Sequence, residues 1–210
     1  MIDEGYTKYR VTWTDRRPLA HPAIAELERW RRPLFDAGLI GHYSDLDIGY
    51  GNISTKVEDC GLFIISGTQT GHLARTGCQH YALVTGVSIA ENAVTCRGAV
   101  QASSETLTHA AVYELNSSIQ AVVHVHNAVL WERLKDALPT TDASVAYGTP
   151  EMAMEFKRLY ADTALVDVGV AVMAGHESGL LSIGGDIEEA ATRLLSLNAR
   201  YTEPFRETTR

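Results

Sequence analysis

Apolar and polar positions alternate with two different periods along the chain, and the change of period marks the elements. HPAIAELERWRRPLFDAG (21–38) reads as a helix, with Pro22 in the first turn and Gly38 as a left-handed cap. Pro33 is expected to kink it or split it in two. GLIGHYSDLDIGYGNIS (38–54), rich in Gly, Ser and Asp, reads as a loop. Extended runs follow at 61–66, 80–89 and 93–98, with Glu91–Asn92 as the turn between the last two. ASSETLTHAAVYELN (102–116) is predicted helical and QAVVHVH (120–126) extended. In GTPEMAMEFKRLYADT (148–163), Thr149 suits an N-cap and Pro150 the first helical position. ALVDVGVAVMAG (164–175) and GLLSIGG (179–185) are expected as a hairpin pair of strands. A helix over 186–201 closes the chain, with Asp186 and Glu189 spaced as a capping box. Strands thus come in runs as well as alternating with helices, which predicts one layered α/β domain with a mixed sheet over 1–210. Its core is expected between residues 22 and 200, with 1–20 as an N-terminal extension.

Composition narrows the function. The 210 residues are 45% hydrophobic and 21% charged, ordinary globular usage. No apolar run approaches the roughly 20 residues of a membrane span, and the polar N-terminus lacks the basic-then-apolar pattern of a targeting peptide. The net charge is −8, and the densest basic group, Arg29, Arg31 and Arg32, shares its helix with Glu26 and Glu28, so nucleic acid is not an expected partner. Cys60, Cys78 and Cys96 are odd in number and far apart, which suggests free thiols in a reducing compartment, the cytoplasm. No GxGxxG fingerprint is present.

The candidate chemistry begins with AVVHVHNAV (121–129). Period two puts His124 and His126 on one face of a strand, about 7 Å apart by strand rise. Two such imidazoles are either satisfied core histidines or ligands of one cation, and His176, in the Gly-flanked loop AGHESG, would be a third ligand. Zinc suits imidazole best; manganese, cobalt or iron also fit. Ser103 and Ser104 precede a helical run and make either an anion site or a plain cap, with Glu105 in the first helical turn. SGTQTG (66–71) and GNIS (51–54) are either phosphate cradles or plain turns. His21, His42, His72 and His80 require no function, and His109, four residues after Glu105, reads as structural.

Taken in order, GNIS (51–54), FIISGTQTG (63–71), SSETLTHAAVY (103–113), AVVHVHNAVLW (121–131), YGTPEMA (147–153) and GHESGLLSIG (175–184) resemble the class II aldolase/adducin family. The resemblance implies a three-layer α/β/α sandwich around a central, largely antiparallel mixed sheet. It implies a divalent metal, usually zinc, on His124, His126 and His176, and a catalytic carboxylate at Glu105. It suggests a phosphate pocket from Gly51, Asn52, Thr68, Ser103 and Ser104, and a cyclic homotetramer with sites at subunit boundaries. The activity implied is that of a lyase making or breaking a carbon–carbon bond in a small, hydroxylated, phosphorylated keto compound through a metal-stabilised enediolate. The family's other metal-dependent reactions, epimerisation, dehydration and decarboxylation, are the alternatives. A non-catalytic binding module of the adducin-head kind would expect an eroded histidine triad, and here it is intact. The SSE pattern favours the aldolase branch, since the related epimerases tend to carry Asp after the serines. Three features depart from the sugar aldolases. Glu177 replaces a Gly after the third His, and is expected to face solvent. The segment after HVH is short and lacks a Tyr, leaving Tyr147 and Tyr201 as stand-ins. SGTQTG is long, so Thr70 competes with Thr68 for the phosphate role.

Overall fold

A computed structural model describes residues 7–57 and 61–202. Its frame is an eight-stranded sheet. In chain order the strands are β1 (Arg10–Thr14), β4 (Asn52–Lys56), β5 (Phe63–Ser66), β6 (Tyr81–Ser88), β7 (Ala93–Arg97), β8 (Ala121–His126), β9 (Val170–Val172) and β10 (Gly179–Gly184). A separate hairpin pairs β2 (Gly41–Tyr43) with β3 (Ile48–Tyr50). The spatial order is β1-β7-β6-β5-β4-β8-β10-β9. Among the described strands β1 and β7 pair in parallel, and the other strand pairs of the sheet are antiparallel.

Helices cover both faces. On one side α2 (Thr106–Leu115), α4 (Pro150–Asp162) and α5 (Leu165–Val168) set Leu107, Phe156 and Leu165 against Phe63, Val122 and Leu181 of the sheet. On the other, α1 (Ala23–Asp36), α3 (Ala128–Leu134) and α6 (Ile187–Thr202) bring Leu27, Leu130 and Leu194 onto Ile53, Val123 and Leu180. The architecture is therefore the three-layer α/β/α sandwich around a largely antiparallel sheet. Strand β8 lies near its middle and is buried on both faces. Ala121, Val123 and Val125 serve one core, while Val122 serves the other. By the two-residue period His124 and His126 share the face of Val122, toward α2. Among the described residues no helix is long and apolar enough to cross a membrane.

Several elements differ from expectation. The segment 38–54 is not a loop: it holds the β2–β3 hairpin and the start of β4. Asn52, Ile53 and Ser54 are buried between β5 and β8, and the Ile53 N–H donates to Ser66 Oγ at 3.2 Å. The neighbouring strands pair with the backbone of this segment, and the Ser54 hydroxyl is met by His109 and Tyr113 of α2. Residues 10–14 of the expected extension form the edge strand β1, which lays Val11 beside Val94 of β7. The 164–169 stretch is the short helix α5, stopped by Gly169 in the left-handed region (φ 68°), and only Val170–Val172 continues as strand. Pro33 neither splits nor ends α1, which continues to Asp36 with Pro33 in its last turn. Helix α2 begins at Thr106, so Glu105 stands at its N-cap position and not within its first turn. The two anticipated caps form at Thr149, whose Oγ1 accepts from Met152 N–H, and at Asp186, whose Oδ1 accepts from Glu189 N–H. Glu189 returns its own carboxylate to Gly185 N–H, one residue earlier than a capping box requires.

Candidate metal centre

The strand places His124 and His126 side by side, and their rings lean together until the two Nε2 atoms are 3.0 Å apart. The separation expected from strand rise applies to the backbone positions, not to the ring nitrogens. His176 arrives from the 173–178 connection between β9 and β10. Met173 N–H bonds Gly179 O and His176 N–H bonds Met173 O, folding the connection back over the sheet. The His176 ring centroid is then 5.0 Å from that of His124 and 4.6 Å from that of His126. One nitrogen from each ring falls within 4.8 Å of the others. Gly179, opposite His126 in the register, makes this approach possible: a Cβ there would stand 3.2 Å from both His124 Cε1 and His176 Cγ.

All three imidazoles are buried. Burial pushes each below its ordinary range, and His176, with Lys8 adding to the effect, falls to about 3. They are neutral at pH 7. Glu105 Oε1 lies 3.6 Å from His176 Nδ1, and with the imidazole neutral the contact is not an ion pair. Leu180 O, 3.1 Å from His124 Nδ1, can only accept, which assigns the proton to Nδ1 and leaves the Nε2 lone pair facing His126. His126 Nδ1 meets Tyr43 OH at 3.1 Å. Three neutral imidazoles, two of them oriented by outer partners, fit a divalent cation by donor chemistry.

Glu105 approaches from the other wall. It is buried, and its Oε2 accepts from Thr108 Oγ1 at 3.0 Å. The turn before it is held from below. Thr106 Oγ1 and N–H both donate to Ser103 O, and Tyr9 OH reaches the Ala102 and Ser103 carbonyls at 2.9 and 3.0 Å. Tyr147 stacks on His176 with centroids 4.3 Å apart, and Lys8 Nζ sits 3.9 Å over the Tyr147 ring.

The site residues read from the sequence all line one open-mouthed cleft. The three histidines and Glu105 form one part. Gly51, Asn52, Thr68, Ser103 and Ser104 line the rest. Asn52 pairs with His124 across β4 and β8, and its Oδ1 is buried without a partner. Thr68 and Thr70 both line the cleft; Thr70 is buried and donates its hydroxyl to Gly67 O at 2.8 Å, while Thr68 is half-buried. Glu177 is exposed and lies outside the lining. Of the two tyrosine stand-ins, Tyr147 lines the cleft and Tyr201 packs with the opposite layer. His109 is a buried structural residue: its Nδ1 is 2.7 Å from Ser54 Oγ, which in turn meets Tyr113 OH at 2.7 Å. Cys78 and Cys96 are free thiols, and Cys60 lies outside the described residues. Sequence reasoning missed Tyr43 and Tyr50, whose rings lie 6.1 and 5.4 Å from His126. Their placement on paired strands was the available signal, hidden by the loop-like composition around them. It also missed Lys8 and Tyr9.

Residues 36–200 match the family model described as "Class II Aldolase and Adducin N-terminal domain". Several solved structures share the fold. YgbL from Escherichia coli is 20% identical over 86% of each chain, with a TM-score of 0.61. The L-fuculose-1-phosphate aldolase of Thermus thermophilus is 20% identical over 85% of this chain and 89% of its own, with a TM-score of 0.58. A sugar-phosphate aldolase from Thermotoga maritima is 15% identical over 85% and 91%, with a TM-score of 0.63. At such identities the likeness is one of fold, but the family match spans most of the sheet, Glu105 and the histidine cluster. The chain belongs to the class II aldolase and adducin family.

Proposed function

We propose that the protein is a metal-dependent lyase of the aldol type, acting on a small, hydroxylated keto compound that bears a phosphate. The observation carrying this reading is one buried carboxylate, Glu105, set against three converging neutral imidazoles in a single cleft. His124, His126 and His176 would hold the cation, with zinc the best match to three imidazole nitrogens. When bound, such a cation supplies an electrophile that stabilises negative charge developing on substrate oxygens.

The remaining work falls to side chains of this chain. Thr108 fixes one carboxylate oxygen of Glu105, which orients the other toward the histidine cluster. In the condensing direction Glu105 takes the proton from the carbon beside the substrate carbonyl; in the cleaving direction it returns a proton to that carbon after the carbon–carbon bond has broken. Ser103, Ser104, Thr68 and the Gly51 backbone grip the phosphate and so fix the distance from the anchored end to the reacting carbon. The Asn52 amide can present either C=O or N–H by a half turn, and its buried, unpartnered end accounts for a polar substrate group. Tyr147, stacked on His176, brings a phenol to the same centre to serve the oxygen of the departing fragment.

The test uses dihydroxyacetone phosphate in deuterated water. The expected result is metal-dependent exchange of the hydrogen beside the carbonyl, abolished by a chelator, in protein holding about one metal ion per chain. Protein that binds no metal and exchanges nothing would point instead to a binding module, and metal-bound protein inert toward every ketose phosphate would remove the aldol reading.

A further inference from the structure

The segment 67–76 between β5 and β6 supplies Thr68 and Gly71 to the cleft, yet its shape is set from outside the cleft. The device is on α1, at residues that precede the stretch matched to the family. Arg31 is 1% exposed, a fully buried guanidinium. Its two terminal nitrogens donate to Thr70 O at 2.9 Å and Leu73 O at 2.8 Å. Glu28, one turn earlier on α1, accepts from Thr76 N–H at 3.1 Å and from Tyr81 OH at 2.5 Å, and lends Arg31 an opposite charge. One helix thus grips the segment at Thr70, Leu73 and Thr76.

The consequence for the cleft is geometric. In a trans peptide the C=O and the following N–H point opposite ways. Pinning Thr70 O toward α1 therefore turns Gly71 N–H away from it. The far side of the segment is wedged against the β2–β3 hairpin: Gly49 N–H donates to Gln69 Oε1 at 3.0 Å, and a Cβ on Gly71 would collide with Gly41 O and Tyr50 N. Gln69, between these restraints, is held at φ 58°, a conformation a non-glycine residue keeps only when its surroundings impose it. A buried charge is costly to place, and here its fork is spent on two backbone carbonyls, a task that needs two parallel donors and that Lys cannot perform in the same way.

We propose that Arg31 is a positioning residue for anion binding: by holding the Thr70 and Leu73 carbonyls it presets the turn that receives the substrate's phosphate, without touching the substrate. This rests on the phosphate reading given above. The probe is inorganic phosphate, titrated calorimetrically into metal-loaded, full-length protein, with metal content measured for every variant. Wild type is expected to bind phosphate saturably, and Ser104→Ala to weaken it, which locates the binding in the cleft. Arg31→Met is expected to raise the phosphate Kd by about 10-fold or more, the worth of charge-assisted hydrogen bonds, with metal stoichiometry unchanged. Arg31→Lys, which keeps the charge and loses the fork, is expected to fall between, and it decides the matter if Arg31→Met does not fold. Wild type that binds no phosphate, or binds it regardless of Ser104→Ala, overturns the phosphate reading and this proposal with it. Cleft binding that is the same in wild type and both Arg31 variants overturns the proposal alone. So does a loss of metal in step with phosphate in Arg31→Lys, because that outcome makes Arg31 a general support of the site.

Discussion

Gly179→Ala isolates the histidine cluster from the substrate question. The added methyl would meet His176 O at 2.9 Å, His176 Cγ at 3.2 Å and His124 Cε1 at 3.2 Å. The first contact is with backbone, so the strain cannot be relieved by swinging a flexible side chain. The two rings must each give by a few tenths of an ångström, which exceeds the roughly 0.2 Å tolerance of metal–ligand distances. Two effects oppose each other in the metal-free protein. Overpacking costs about 1–3 kcal/mol, while replacing a strand glycine returns about 0.5–1 kcal/mol of backbone entropy. The net loss of apo stability is therefore expected to be about 2.5 kcal/mol or less. The metal-bound state should suffer more, because displaced ligands typically weaken affinity by about 10–100-fold. At saturating zinc a loss of about 100-fold removes about 2.7 kcal/mol of ligand-linked stabilisation. The assay is thermal denaturation with and without zinc, together with metal analysis after dialysis. The quantity that matters is the difference between the two melting temperatures, from which the apo effect cancels. If Gly179→Ala shows the same zinc-induced shift and the same metal content as wild type, His124 and His176 do not share an ion in this geometry, and the metal centre as described is wrong.

Other consequences follow from the same geometry. Glu105→Gln preserves shape and should retain metal while slowing turnover or exchange by about 100-fold or more; retained rates would move proton transfer to another group. Stability of the metal-free protein should fall with acid. His176 and His109 are held neutral by burial, their folded values lying below the ordinary 6.5. The unfolded chain therefore binds more protons than the folded one from about pH 6.5 downward, and stability present above that point is lost toward about 3 for His176. The slope is about 1.4 kcal/mol per pH unit for each fully responding histidine, read from urea midpoints between pH 7 and 5; a flat profile would contradict the burial argument. Asn52→Ala removes a buried acceptor that has no partner, so its melting temperature should stay within the equivalent of about 1 kcal/mol of wild type. Its phosphate or substrate affinity should nevertheless fall, and unchanged affinity by calorimetry would take Asn52 out of the site.

The contrast between AVVHVHNAV and GLIGHYSDLDIGYGNIS shows where sequence reading holds and where it stops. In the first, a two-residue period is a property of the extended backbone itself, so the shared face of His124 and His126 follows before any neighbour is known. The same locality makes Thr149, Pro150 and Asp186 legible as helix starts, because capping bonds span only a few residues. In the second, Gly, Ser and Asp signal a loop, yet β5 and β8 flank residues 52–56 and pair with their backbone, turning a loop-like string into a central strand. That outcome depends on partners elsewhere in the chain, and no local preference reports them.

By itself, then, the chain's pattern determined the helices with strong caps, the run of strands, the paired imidazoles and the ordered motifs that mark the family. Only the tertiary structure decided that ring nitrogens from β8 and the 173–178 connection lie within 4.8 Å of each other. It also decided that Glu105 faces them from outside its helix, and that Tyr9 and Arg31, remote in sequence, hold the cleft's turns by their carbonyls. The reason is one of range. Periodicity and capping are set by bonds within a few residues, whereas convergence, burial and the loss of charge that burial forces on an imidazole are properties of packing between segments far apart along the chain.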